Sequence, residues 1–224
     1  MIEAFIFDMD GLLIDSEPIW RRVEAKVFGG LGLPVNEDDM RLVMGMRIDE
    51  VVGYWYQQHP WSKVSHEQVI EDIVDGVVAA IKAEGQALSG VDHVLSTCSE
   101  AGLPLAIASS SHYRIIEAVV EKLGIKDKFE LIRSAQNEAF GKPHPAVFIS
   151  TAKDLGVDVA ECLVFEDSIN GVIAAKAAKM KCIAVPEPEN QNDQRFAIAD
   201  MVIDSLEDFG LSMIDRLSSS SVSN

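Results

Sequence analysis

The chain has 224 residues, 48% of them hydrophobic and 25% charged, with 36 acidic against 19 basic side chains and a formal net charge of −17. That excess of acid excludes nucleic acid and anionic membrane surfaces as partners, because both are bound through a basic footprint. No stretch is apolar for long enough to span a bilayer, and a chain of this size buries about 70–75% of its unfolded surface, enough for a large domain carrying a smaller inserted one.

The first element is the apolar run Ala4-Phe5-Ile6-Phe7, short and sharply bounded as a buried strand should be. It ends in Asp8-Met9-Asp10-Gly11. Side chains alternate along a strand, so Asp8 and Asp10 are expected on one side if the extended backbone continues. Two carboxylates about 4 Å apart repel by roughly 4 kcal/mol at an effective dielectric near 20, so such a pair asks for a cation or a shared proton. No leader-type segment precedes this strand, and the three cysteines (Cys98, Cys162, Cys182) are odd in number and widely spaced. Buried thiols and a cytoplasmic location are the expectation.

Ser16-Glu17-Pro18 predicts a helix start, with Ser16 near the cap and Pro18 in the first turn. That helix carries Trp20, Val23, Val27 and Phe28 and stops at Gly29-Gly30. Residues 34–60 read as short helices joined by loops, and Ser65-His66-Glu67-Gln68 reads as a capping box opening a helix that runs to Gly85. Residues 16–85 are therefore an all-helical block. From Val91 onward helices and strands alternate. The strands are Leu105–Ala108, a weaker one at Glu130–Arg133, Leu163–Phe165 and Cys182–Val185; the helices between include one from Pro145 to Leu155 and an alanine-rich one through Met180. This rhythm predicts a Rossmann-like α/β core of residues 1–15 and 86–217, a parallel sheet covered on both faces, with residues 16–85 inserted as a helical cap and residues 218–224 as a disordered tail.

In such sheets ligands bind at the carboxyl ends of the strands. Asp8, Asp10, Ser109, Glu166 and Asp167 all stand at such ends, and Lys142 lies in a loop before a helix. One Asp at a strand end is an ordinary turn former; a pair matched by a third acid, Asp167, is better read as a metal site. Oxygen ligands alone suit Mg²⁺, which keeps waters for a substrate phosphate. Glu166 is placed as a support for the ligands rather than as a ligand. Ser109 is also a good helix cap, a role compatible with anion binding. Lys142 is pinned by Gly141, Pro143 and Pro145 and suits a fixed point charge on a phosphoryl group. Zinc-protease, Walker A and dinucleotide fingerprints are absent. His112 and His144 lie beside the predicted site as secondary candidates.

Phe7-Asp8-Met9-Asp10-Gly11, Ala108-Ser109-Ser110, Gly141-Lys142-Pro143 and Glu166-Asp167-Ser168 resemble, in order and on the expected elements, the four motifs of the haloacid dehalogenase superfamily. The helical insert is similar to the cap of its phosphatase and β-phosphoglucomutase branch. Residues 55–61 and 186–193 are similar to those of bacterial hexitol and 2-deoxyglucose-6-phosphate phosphatases. The resemblance implies that Asp8 attacks phosphorus and that Asp10 protonates the leaving oxygen and then activates water. It implies Mg²⁺ on the Asp8 carboxylate, the Asp10 backbone carbonyl and Asp167, and phosphate oxygens held by Ser109, the Ser110 backbone and Lys142. Arg47, Trp20, Trp55 and Trp61 are the candidates for sugar contact.

The function expected is a Mg²⁺-dependent phosphatase, monomeric, acting on small sugar or polyol phosphates. A β-phosphoglucomutase-type mutase is the alternative; relatives of that kind commonly carry a basic residue or His where this chain has Trp20. A receiver-type signalling domain is disfavoured by the helical insert and by the placement of paired acids on the first strand.

Overall fold

A computed structural model describes residues 1–219. Six parallel strands form one sheet in the order β3-β2-β1-β4-β5-β6: β1 (Ala4–Phe7), β2 (Leu105–Ser109), β3 (Leu131–Ser134), β4 (Cys162–Glu166), β5 (Lys181–Ala184) and β6 (Met201–Val202). The chain reverses its direction of travel through the sheet at β1, so the crevice at the ends of β1, β2 and β4 is the switch point where ligands bind in open α/β sheets.

Every β1 residue is buried, because both faces of the sheet are covered. Phe5 and Phe7 point into one apolar cluster with Leu105, Ile107, Leu163 and Phe165. Phe7 stacks on Phe165 with ring centroids 4.7 Å apart. Ala4 and Ile6 face the other way, among Ala108, Val164, Val147 and Phe148. Helices α4 (Val91–Glu100) and α5 (Tyr113–Leu123) contribute to the first cluster; α6 (Ala146–Leu155) and α7 (Ile169–Ala177) supply the second.

Between β1 and β2 lie α1 (Glu17–Gly30), α2 (Ile48–Gln58) and α3 (His66–Glu84), with a 3-10 turn at Asp39–Val43. These helices bury Val23, Phe28, Val51, Val52, Trp55, Val69, Ile73, Val74 and Val77 among themselves. Ser65 caps α3 by accepting from the Gln68 backbone N–H at 3.2 Å, but the Gln68 side chain turns to Asp72 instead of completing a capping box. The alanine-rich helix stops at Ala177, short of Met180, because Lys179 takes a left-handed conformation with φ 65°. Strand β6, only two residues long, has no counterpart in the sequence pattern. A short helix, α8 (Ser212–Ser219), runs into the predicted tail, whose residues 220–224 lie outside the described residues. The three cysteines are free and buried, as expected, and no helix among the described residues is long and apolar enough to cross a membrane.

Candidate active site at the ends of three strands

The register of the sheet builds the site. Phe7 pairs with Phe165, so the next residues, Asp8 and Glu166, lie side by side, and the Asp8 backbone N–H donates to the Phe165 carbonyl at 3.0 Å. Both acids have the parity of Ile6 and Val164 and therefore emerge on the Phe148 side of the sheet. Lys142 fills the space between them. Its ammonium donates to Asp8 Oδ1 at 2.5 Å, Glu166 Oε1 at 2.7 Å and the Ala108 carbonyl at 3.0 Å, and it lies 4.7 Å from the centre of the Phe148 ring. All three donor positions of the lysine are thus used.

Glu166 is fully enclosed, and its second oxygen accepts from the Ser168 backbone and hydroxyl, both at 3.0 Å. Three of its hydrogen bonds thus run to Lys142 and Ser168. Gly171 is what lets it sit there: a Cβ at that position would lie 1.6 Å from Glu166 Oε1. Asp167 is different. It is 4% exposed, and among the described residues no group donates a hydrogen bond to it. A ligand oxygen from each of Asp8, Glu166 and Asp167 falls within 4.8 Å of the others, and a Cβ on Gly11 would come within 2.2 Å of Asp167 Oδ2. Of these three buried carboxylates, Asp8 and Glu166 share one ammonium and Asp167 has no donor among the described residues. This donor set of hard oxygens fits a divalent cation of the Mg²⁺ type.

The electrostatics show the same deficit of positive charge. Burial pushes the Asp8 carboxyl up; Lys142 pulls it down, Glu166 and Asp10 push it up again, and the net value is about 7. Asp167 is held well above the usual carboxylate range, by burial first and then by Glu166 and Asp8. Burial works to lower the Lys142 ammonium, but Asp8 and Glu166 outweigh it and hold the proton on.

Asp10 does not join this cluster. The extended backbone ends at Phe7, and residues 9–14 fold into a tight loop in which the Met9 carbonyl accepts from Leu13 and Ile14. The expected same-side carboxylate pair is therefore replaced by two acids with separate partners. Asp10 Oδ1 accepts from the Ser16 hydroxyl at 2.7 Å and Trp20 Nε1 at 2.9 Å; Oδ2 accepts from the Ser111 hydroxyl at 2.7 Å. Both acids still line one cavity, together with Ser109, Ser110, Lys142 and Asp167. Ser110 Oγ is buried there without a partner.

Several expected roles change. Ser16 occupies the N-cap position of α1 but makes no capping bond, because its hydroxyl goes to Asp10. Ser109 is not the cap of α5; His112 is, its Nδ1 accepting from the Arg114 N–H, while Ser109 Oγ accepts from the Ser111 N–H. His144 Nδ1 likewise accepts from the Ala146 N–H. Trp55 and Trp61 pack around Phe28 inside the helical block, away from the cavity. Arg47 is not brought to the cavity either. Its guanidinium holds Asp49 and donates to the Ala135 and Glu138 carbonyls at 3.0 and 2.7 Å, while Glu50 Oε1 accepts from the Gly141 N–H at 3.0 Å. Together Arg47 and Glu50 clasp the insert to the loop that carries Lys142. The residues missed from sequence are Ser16 and Ser111 around Asp10, and Glu17 and Glu24 in the cavity wall. Only Ser111 gave any hint, as the third member of a serine run.

The geometry has counterparts. The family profile described as haloacid dehalogenase-like hydrolase matches residues 5–185. Hexitol phosphatase B of Escherichia coli (strain K12) is 42% identical over 206 residues, covering 92% of this chain and 93% of that protein. The crystal structure of CbbY from Rhodobacter sphaeroides in complex with phosphate superposes with a TM-score of 0.86 at 26% identity, over 96% of this chain and 100% of that one. The β-phosphoglucomutase of Clostridium difficile superposes with a TM-score of 0.85 at 25% identity, covering 100% of both chains. With its motif acids, lysine and serines gathered at the ends of β1, β2 and β4, the chain belongs to the haloacid dehalogenase-like hydrolases.

Proposed function

We propose that the chain is a phosphatase that hydrolyses small sugar or polyol phosphates in two steps through an aspartyl-phosphate on Asp8, with Mg²⁺ as its metal. The observation that carries this reading is the position of Asp8: one carboxylate oxygen is fixed by Lys142, beside the unpartnered Asp167, in a cavity it shares with Asp10. An oxygen of Asp8 attacks phosphorus, the bond from phosphorus to the ester oxygen breaks, and a proton from Asp10 goes to the departing alcohol. Asp10 then takes a proton from water, which attacks the phosphoryl group and frees Asp8. Lys142, the Ser109 hydroxyl and the Ser110 backbone are the groups suited to the phosphoryl oxygens. Mg²⁺ held by Asp8, Asp167 and the Asp10 carbonyl would offset the negative charge gathered on those oxygens. Hexitol phosphatase B, a relative that matches nearly the whole chain, supports the polyol ester as substrate.

Residues 16–85 serve in this reading as a cap over a core of residues 1–15 and 86–217. The cavity between them measures ≈50 Å³, against several hundred Å³ for sites that take small ligands. In this reading a sugar phosphate enters as the insert shifts, and the Arg47 and Glu50 contacts to residues 135–141 are the ones that would have to give. Closure excludes water from the first step. A monomer working in the cytoplasm completes the proposal, supported by three reduced, buried thiols. Phosphate release from a panel of hexitol and hexose phosphates, with and without Mg²⁺, tests it; Asp8→Asn is expected to be inert. A product of glucose-6-phosphate from β-glucose-1-phosphate would assign a mutase instead.

A further inference from the structure

The wall of the cavity that α1 forms carries two carboxyl groups that the mechanism does not use. Glu17 and Glu24 lie seven residues apart on α1, two turns along the same face, with Trp20 and Arg21 between them, and all four line the cavity. Glu24 is 5% exposed and Glu17 7%. Among the described residues neither carboxyl receives a hydrogen bond or forms an ion pair, although each is at least nine-tenths buried. A buried carboxyl without a protein partner is costly to keep, and this one reaches the cavity. Burial, and then the neighbouring Glu17, holds Glu24 well above the ordinary carboxyl range. The positive charge of Arg21 falls on Glu17 and Glu187, so it does not neutralise Glu24.

We propose that Glu24, with Glu17 beside it, binds the hydroxyl groups of the substrate's carbon chain and makes the site selective for monophosphates of uncharged polyols over esters that carry a second anionic group at that end. A carboxyl group accepts from hydroxyls and, when protonated, also donates to them, and a site built to bind a hydroxyl discriminates strongly against an analogue lacking it. A second phosphate would bring its charge to a buried wall that already holds the Glu17 proton on, with the cation there, Arg21, shared between Glu17 and Glu187. This inference rests on the phosphatase reading of the cavity.

The test compares Glu24→Leu and Glu24→Gln with the parent chain on three Mg²⁺-supplemented substrates: a hexitol monophosphate, the corresponding bisphosphate, and p-nitrophenyl phosphate, which has no aliphatic hydroxyls. For Glu24→Leu, kcat/KM on the hexitol ester is expected to fall about 100-fold, at least about tenfold more than on the aryl ester. Thermal unfolding of the same variant is expected to rise by about 2–4 °C, because an uncompensated buried carboxyl has gone. The parent is expected to prefer monophosphate to bisphosphate by at least about tenfold, with the gap narrowed in Glu24→Gln. Equal losses on hexitol and aryl esters, or an unchanged hexitol rate, would overturn the assignment. A parent chain inert towards both monoesters would instead overturn the phosphatase reading beneath it.

Discussion

Trp20 Nε1 donates to Asp10 Oδ1 at 2.9 Å, so the first helix of the insert touches the acid proposed to handle the proton. Ser16 and Ser111 hold the same carboxylate from two other directions. Asp10 is thereby kept from swinging down to the Asp8–Lys142 pair and stays aimed into the cavity. Trp20→Phe deletes one donor and little volume. The loss of about 1–1.5 kcal/mol from one such bond predicts a kcat lower by about fivefold to tenfold, with KM moved less. Steady-state kinetics on a hexitol phosphate check this; a KM effect with kcat intact would place Trp20 at the sugar instead.

Lys142 and Glu166 form a buried pair, and removing the acid leaves the ammonium to Asp8 and the Ala108 carbonyl. Losing a hydrogen bond to a charged group costs about 1.5–3 kcal/mol, which for a chain of this length lowers Tm by about 3–12 °C. Glu166→Ala is expected in that range by calorimetry, and Gly171→Ala should match it, since the new methyl collides with the Glu166 carboxylate. Gly53→Ala in α2 is the contrast: nothing lies within 4 Å of its added Cβ, so the change should raise stability by up to about 1 kcal/mol. A Tm that Gly171→Ala leaves unmoved would contradict the packing described.

The acids of the cavity set the response to pH. Asp8 stands at about 7 against an ordinary 3.8, and Glu17 at about 8 against 4.5, both raised first by burial. The folded chain therefore holds these protons more tightly than the unfolded chain, and between those values it binds more of them. Stability then falls as pH rises from about 4 to about 8, with the full penalty present above about 8. In chelator, Tm is expected to drop between about pH 5 and pH 8. Added Mg²⁺ should restore most of the loss at the higher pH, because it binds the deprotonated folded form. Glu17→Gln should flatten the slope. Calorimetry across pH with and without Mg²⁺ measures all three, and a Tm that rises with pH in chelator would contradict the charge arrangement.

The strands were legible because β1, β2 and β4 are short apolar runs closed by polar residues, a pattern that buried parallel strands produce whatever surrounds them. The same pattern put Asp8, Ser109, Glu166 and Asp167 at strand ends, which is where the structure has them. Alternation misjudged Asp10, since it assumes an extended chain beyond Phe7 and the backbone turns there. Ser16 and Ser109 read as helix caps from local preference, but both hydroxyls donate to Asp10, and Ser109 Oγ also accepts from the Ser111 N–H. Arg47 carried no local sign that two carbonyls of another segment, Ala135 and Glu138, would occupy it. Glu24 was illegible for a plainer reason: on a helical wheel it resembles any solvated glutamate, and only the cavity reveals that its side chain is enclosed.

The covalent role of Asp8 is tested most directly by rapid acid quench of the parent chain during turnover of a hexitol phosphate with Mg²⁺, read by intact-protein and peptide mass spectrometry. The peptide containing Asp8 should carry the added mass of one phosphoryl group within the first turnovers, and Asp8→Asn should abolish it. Continued phosphate release with no modified peptide at any quench time would contradict attack by Asp8.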